Sequence, residues 1–184
     1  MDPLTALDMD ILHFIHDNMS CGFLDKVMPV ITAAGNWGII WIAAAVILLF
    51  FRRTRCCGAA MGGALVGCLV IGNIILKHLV ARDRPCWIET EHLMLIAVPS
   101  DFSFPSGHTM SSFAAAVVIF HYNKKAGAAA LVLAALIAFS RLYLFVHFPT
   151  DVIAGLVIGC GIGISAFIAA DRISGRLKRR GQTE

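Results

Sequence analysis

Seven side chains in three short segments have the types and spacing to handle a phosphoryl group. Lys77 is followed, after six residues, by Arg84-Pro85. Pro105-Ser106-Gly107-His108 forms the second segment. The third runs Ser140-Arg141, five residues, His147, three residues, Asp151. Arginine presents a rigid fork of donors and lysine a compact charge, and both suit phosphate oxygens. Ser106 can cap a helix whose first turn, with its free N–H groups, attracts anions. Gly107 lets the backbone approach an anion closely. Asp151, four residues after His147, is within reach of one imidazole nitrogen, leaving the other free to attack. Each residue alone has a plainer explanation. A lysine at a membrane boundary snorkels, a serine caps, an aspartate meets a helix dipole, and a histidine is hydrogen-bonded core.

The elements that must position these groups are apolar. The chain has 184 residues, 58% hydrophobic and 15% charged, with mean hydropathy +0.78. A soluble domain carries more charge. Uncharged runs at 27–51, 57–76, 104–120, 126–140 (continuing past Arg141 to 148) and 152–170 approach or exceed the roughly 20 residues that cross a bilayer as a helix. Leu4, Leu7, Ile11, Leu12, Ile15 and Met19 recur at helical spacing, which fits an amphipathic helix in the interface or one packed on its neighbours. No positive n-region opens the chain, and Asp2, Asp8 and Asp10 interrupt any apolar core, so no cleavable signal peptide is expected. No repeat or linker divides residues 1–184. The expected fold is all-α: one polytopic transmembrane helix bundle of five spans plus the N-terminal amphipathic helix, six helices in all.

Charge orients the bundle. Arg52, Arg53 and Arg55, then Lys124 and Lys125, then Arg172, Arg176, Lys178, Arg179 and Arg180 follow alternate spans and belong on the cytoplasmic side. The remaining basic residues are Lys26, Lys77, Arg82, Arg84 and Arg141, and three of them sit in the segments above. The N-terminus is then outside, the C-terminus inside, and the three segments share the outer face. A spanning N-terminal helix would make six spans. The basic tail reads as a cytoplasmic stop beside anionic lipid rather than a nucleic-acid site. The six cysteines show no CxxC or zinc spacing; Cys21 and Cys86 both fall outside, which leaves a disulfide open.

In order and spacing, the three segments resemble the signature motifs of the type 2 phosphatidic acid phosphatase (PAP2) superfamily. That superfamily includes lipid phosphate phosphatases, phosphatidylglycerophosphatase B, undecaprenyl-diphosphate phosphatases and vanadium haloperoxidases. All three motifs match without gaps, and the specific part of the match lies between Lys77 and Asp151. The resemblance implies that Lys77, Arg84 and Arg141 clamp phosphoryl oxygens, with Ser106 and Gly107 completing the cradle. It makes His147 the nucleophile, Asp151 its orienting partner, and His108 the acid and then the base. It implies a cell-membrane enzyme with its site facing outward, acting on a lipid phosphate or diphosphate through a phosphohistidine. Undecaprenyl diphosphate comes first, then phosphatidylglycerophosphate or phosphatidic acid. It implies no cofactor and no metal, since three cations and a helix N-terminus can stabilise developing charge. The implied partners are the lipid substrate and the bilayer, not nucleic acid, and a homo-oligomer stays open. A vanadate-dependent peroxidase and a non-catalytic lipid-phosphate binder or transporter are the alternatives. The motifs give His78 and His92 no role. Asp83 is expected to shape its loop or pair with Arg82, and residues 86–104 to form a lid or a passive loop.

Overall fold

Long apolar runs with no period-two alternation fold as helices, and every regular element found is helical. The structure, a computed structural model, describes the backbone of residues 3–180 and the side chains of residues 3–175. The basic side chains at 176–180 lie outside the described residues. Helix α1 (Pro3–Met19) is present as expected, but its buried residues are Asp8, Met9, Leu12 and Ile15. Leu4, Leu7, Ile11 and Met19 are exposed. Asp8 decides this rotation, because its carboxylate bonds to residues at the start of the last helix.

The run expected as one span over 27–51 is broken. Helix α2 (Gly22–Ala34) and α3 (Ile39–Phe50) meet at a 3₁₀ turn, Asn36–Gly38. They bend by 41°. Trp37 and Gly38 hold positive φ there, which no α-helix accommodates. The chain then continues as α4 (Arg55–Cys68), a π-helical segment (Leu69–Leu76) and α5 (Lys77–Val80). Ala81 ends that helix in the left-handed conformation, and α6 (Pro85–Ile88) begins with its proline in the first turn. Helices α7 (Gly107–Tyr122), α8 (Lys124–Tyr143) and α9 (Pro149–Arg180) complete the bundle.

Three helical stretches among the described residues are long and apolar enough to cross a membrane: 55–88, 124–143 and 149–175. The bent α2–α3 pair makes a fourth. Helix α7, expected as a fifth, has only 16 residues. It is enclosed by its neighbours, with Met110, Ala114, Ala115, Ala116 and Val118 fully buried among α4, α8 and α9. Apolar tails of lipid exert no hydrophobic preference for helix pairing, so close backbone approach must supply it. Helix α9 does so through Gly155, Gly159 and Gly163. A Cβ at Gly159 would lie 2.3 Å from the Met110 carbonyl oxygen, and one at Gly163 2.6 Å from that of Ala114. Cys21 and Cys86 are both free thiols.

Gly159→Leu is expected to destabilise the detergent-solubilised protein by about 3 kcal/mol, the upper end of overpacking costs, because backbone rather than a flexible side chain blocks the new atoms. Gly161→Ala on the same helix meets nothing within 4 Å and is expected to raise the thermal midpoint slightly. Equal midpoints for the two variants would refute the α7–α9 approach.

Candidate active site

The helix ends bring all the expected residues to one end of the bundle. Ser106 caps α7, accepting at Oγ from the Thr109 N–H and hydroxyl. Its own N–H donates to the Asp151 carbonyl at 3.1 Å, which joins the starts of α7 and α9. Lys77 begins α5, Arg84 precedes α6, and Arg141 lies in the last turn of α8. All three cations are buried, at 7%, 2% and 4% exposure. His147 sits in the short crossing between α8 and α9 and is 1% exposed.

Arg84 is the hub. Its Nε donates to the Asp101 carbonyl at 2.6 Å, its Nη1 to the Val146 carbonyl, and its Nη2 to Asp101 Oδ1 at 2.7 Å. Nη1 also faces His147 Nε2 at 3.1 Å. The other oxygen of Asp101 meets the Lys77 ammonium. Burial alone would raise the Asp101 carboxyl, but the Lys77 hydrogen bond and the Arg84 charge bring it down to about 2. Asp101 is therefore a carboxylate throughout the neutral range, lying where the Lys77 and Arg84 cations converge. Arg141 donates from Nη1 to Thr32 Oγ1 at 2.6 Å, and its buried Nε has no partner among the described residues.

The expected His147–Asp151 contact is present but long. Asp151 Oδ2 lies 3.8 Å from His147 Nδ1. Ser103 stands between them, donating to Asp151 Oδ2 and lying 3.3 Å from His147 Nδ1. Asp151 also accepts from the Phe148 N–H at 3.0 Å and from Arg82 Nη1 at 2.8 Å. Burial first, then the charges of Arg84, Arg141 and Lys77, push the His147 imidazole well below its ordinary pKa. It is thus neutral, with Nδ1 toward the acidic side and Nε2 toward the cations. His108 stands at the edge of the cluster, its Nε2 2.9 Å from Asn36 Oδ1. A Cβ at Gly35 would sit 2.8 Å from its ring, so the α2–α3 break makes room for it. Gly107 lies against Asn73, whose buried Oδ1 is unpaired.

Several participants were not legible beforehand. Arg82 pairs with Asp8 and Asp151, not with its neighbour Asp83. Its place among the basic residues on the outer face was the one available signal. Asp101 and Ser103 precede the second motif without any spacing that marks them. Asn36 and Thr32 come from a helix with no motif at all. His92 stacks on Phe145 and His78 bonds to its own helix, outside the cluster.

The description of the PAP2 superfamily matches residues 55–173. An undecaprenyl-diphosphatase of Sulfolobus acidocaldarius is 34% identical over 124 residues, 67% of this chain and 60% of that protein. The chain thus matches less than two thirds of that relative's length. The undecaprenyl-diphosphatase BcrC of Bacillus subtilis is 30% identical over 155 residues, 80% of this chain and 76% of that one. Among solved structures, a transmembrane PAP2-type phosphatidylglycerolphosphate phosphatase from Bacillus subtilis superposes with TM-score 0.74 at 26% identity, covering 97% of this chain and 90% of that one.

Asp101→Asn removes a negative charge from the anion's expected place. Inhibition by orthovanadate is expected to tighten about tenfold, equivalent to ~1.4 kcal/mol. Weaker or unchanged inhibition would make Asp101 a support for the cations rather than a competitor. Ser103→Ala is expected to lower turnover about tenfold while the thermal midpoint moves by less than about 1.5 kcal/mol in stability, the worth of one hydrogen bond.

Proposed function

The chain belongs to the PAP2 superfamily, in which its named relatives are phosphatases, and from that premise we propose that it hydrolyses a membrane lipid diphosphate, undecaprenyl diphosphate first, through a phosphohistidine on His147. The observation that carries this reading is the His147 environment. A buried, neutral imidazole turns Nε2 toward Arg84 while Ser103 and Asp151 occupy the Nδ1 side. The partnerless Nε of Arg141 adds an unused donor for a phosphate oxygen.

In the proposed reaction, Lys77, Arg84 and Arg141 hold the terminal phosphoryl oxygens, with the Ser106–Gly107 start of α7 beneath them. His147 Nε2 attacks phosphorus as the bond to the leaving oxygen breaks, and His108 gives that oxygen a proton. Asp151, directly and through Ser103, holds the imidazole and balances its charge. His108 then takes a proton from water, which attacks the phosphohistidine and frees inorganic phosphate. No step needs a metal. Phosphatidylglycerophosphate and phosphatidic acid present the same phosphoryl group and are the next candidates. The diphosphate preference rests on the two named undecaprenyl-diphosphatases. A five-span topology, with α7 as the short central span and the site on the extracytoplasmic face, follows from the basic residues at the opposite helix ends.

Phosphate release by purified protein in EDTA is expected, fastest from undecaprenyl diphosphate and absent in His147→Ala. Activity retained by His147→Ala would end the phosphohistidine assignment; activity abolished by EDTA would end the metal-free one. Asp151→Asn is expected to lower turnover by ~10²-fold or more. Acid-labile label from a ³²P substrate should appear on the protein and be missing in His147→Ala.

A further inference from the structure

Helix α4 runs from Arg55 toward Lys77, and α9 runs from Asp151 away from the site, so residues 52–60 and 161–174 lie at the far end of the bundle. There α4 and α9 part to leave a groove of about 1050 Å³. Its walls are apolar and small, with Ala59 and Gly63 on one side and Gly161, Ala166 and Ala170 on the other. Arg52, Arg53 and Arg55 line its mouth and are exposed. The groove rises as far as Ile71 and Ile158, short of the active-site layer.

Two features set it apart from loose packing. First, Gly63 and Gly161 face open space, and a Cβ on either would meet nothing within 4 Å. Their neighbours Gly155, Gly159 and Gly163 instead press on the α7 backbone. Glycine inside a helix is destabilising relative to alanine, so glycines without a packing partner keep volume open at a cost to the fold. Second, the charge at the mouth is unanswered. Asp171, the carboxylate of α9 at this end, accepts from the Tyr122 hydroxyl at 2.6 Å and faces His121 Nε2 at 2.9 Å. Among the described residues no carboxylate pairs with Arg52, Arg53 or Arg55. Thr54 donates to the Leu48 carbonyl at 2.9 Å and Arg55 Nε to that of Leu49 at 3.2 Å, which fixes the turn carrying the arginines. Basic residues beside a span are explained by orientation, but that rule does not place a groove beside them.

We propose that this groove binds one anionic phospholipid from the leaflet opposite the active site. Its phosphodiester rests on Arg52, Arg53 and Arg55, and one acyl chain fills the space between α4 and α9. Arginine suits a phosphate through its fork of donors, and the volume sits at the top of the roughly 300–1,000 Å³ range of ligand sites. The occupant is a diester, so it is no substrate for a phosphomonoester or diphosphate site. It bridges α4, whose helical run continues through residues 69–76 to Lys77, and α9, which carries Asp151, and by binding only the folded bundle it stabilises that bundle.

The test uses the full chain in neutral detergent, titrated with dioleoylphosphatidylglycerol or dioleoylphosphatidylcholine. Retained lipid is read by native mass spectrometry and stability by the thermal midpoint. One phosphatidylglycerol is expected to be retained about tenfold more tightly than phosphatidylcholine, or better, given the contribution of each arginine near a lipid phosphate. Replacing Arg52, Arg53 and Arg55 by Gln should erase the preference. The double variant Gly63→Leu, Gly161→Leu should expel either lipid, with its lipid-free midpoint at or above that of the parent and phosphate release unchanged. Equal retention of the two lipids, or undiminished phosphatidylglycerol in the glycine double variant, would overturn the proposal. Neither result depends on His147.

Discussion

Burying positive charge at one end of an apolar bundle is the constraint around which this molecule is arranged. Lys77, Arg84 and Arg141 are each less than a tenth exposed, and the effective penalty for taking an ion out of water is several kcal/mol. Arg84 offsets it through Asp101, two further carbonyls and the Nε2 atom of His147. Lys77 shares the Asp101 carboxylate. Arg141 has one hydroxyl, from Thr32, and an unused nitrogen. The group is therefore under-neutralised among the described residues, and an anion with several acceptor oxygens would complete it. Because the donors are held by helix ends and by one another, little reorganisation accompanies that completion.

A second network settles how the acidic side of the site is held. Arg82 binds Asp8 and Asp151, and Asp8 also accepts from the Thr150 N–H and hydroxyl. These contacts draw α1 onto the start of α9 and explain why Asp8 lies on the buried face of α1 beside Met9, Leu12 and Ile15, while Leu4, Leu7, Ile11 and Met19 are exposed. They also hold Asp151 toward Arg82 on one oxygen and toward Ser103 on the other. The carboxylate thus reaches His147 largely through a hydroxyl, and the orientation of this imidazole depends on a loop residue as much as on its i+4 neighbour.

Helix α9 serves two surfaces with the same residue type. Gly155, Gly159 and Gly163 admit the α7 backbone, which seats Ser106 against Asp151. Gly161 faces away from α7 and borders the arginine-rimmed groove with Gly63. The same absence of a Cβ means contact on one face and open volume on the other, and only the neighbouring helix distinguishes them.

The sequence alone determined the family and the all-helical class of fold, and it pointed to a phosphoryl-handling site. Apolar run lengths imply an all-helical membrane bundle, and the motif residues Lys77, Arg84, Ser106, Gly107, His108, Arg141, His147 and Asp151 do gather at one end. These were legible because hydropathy and cap residues are local properties, and because each motif spans only a few residues around a helix end. The break between α2 and α3 was hidden inside a run read for its lack of charge, although Gly35, Asn36 and Gly38 are turn-forming residues at that point. The partners Asp101, Ser103, Asn36, Thr32, Arg82 and Asp8 were decided only by tertiary structure. A buried charge accepts whichever donor or acceptor packing brings within 3 Å, and in this bundle those atoms arrive from helices and loops distant in the chain.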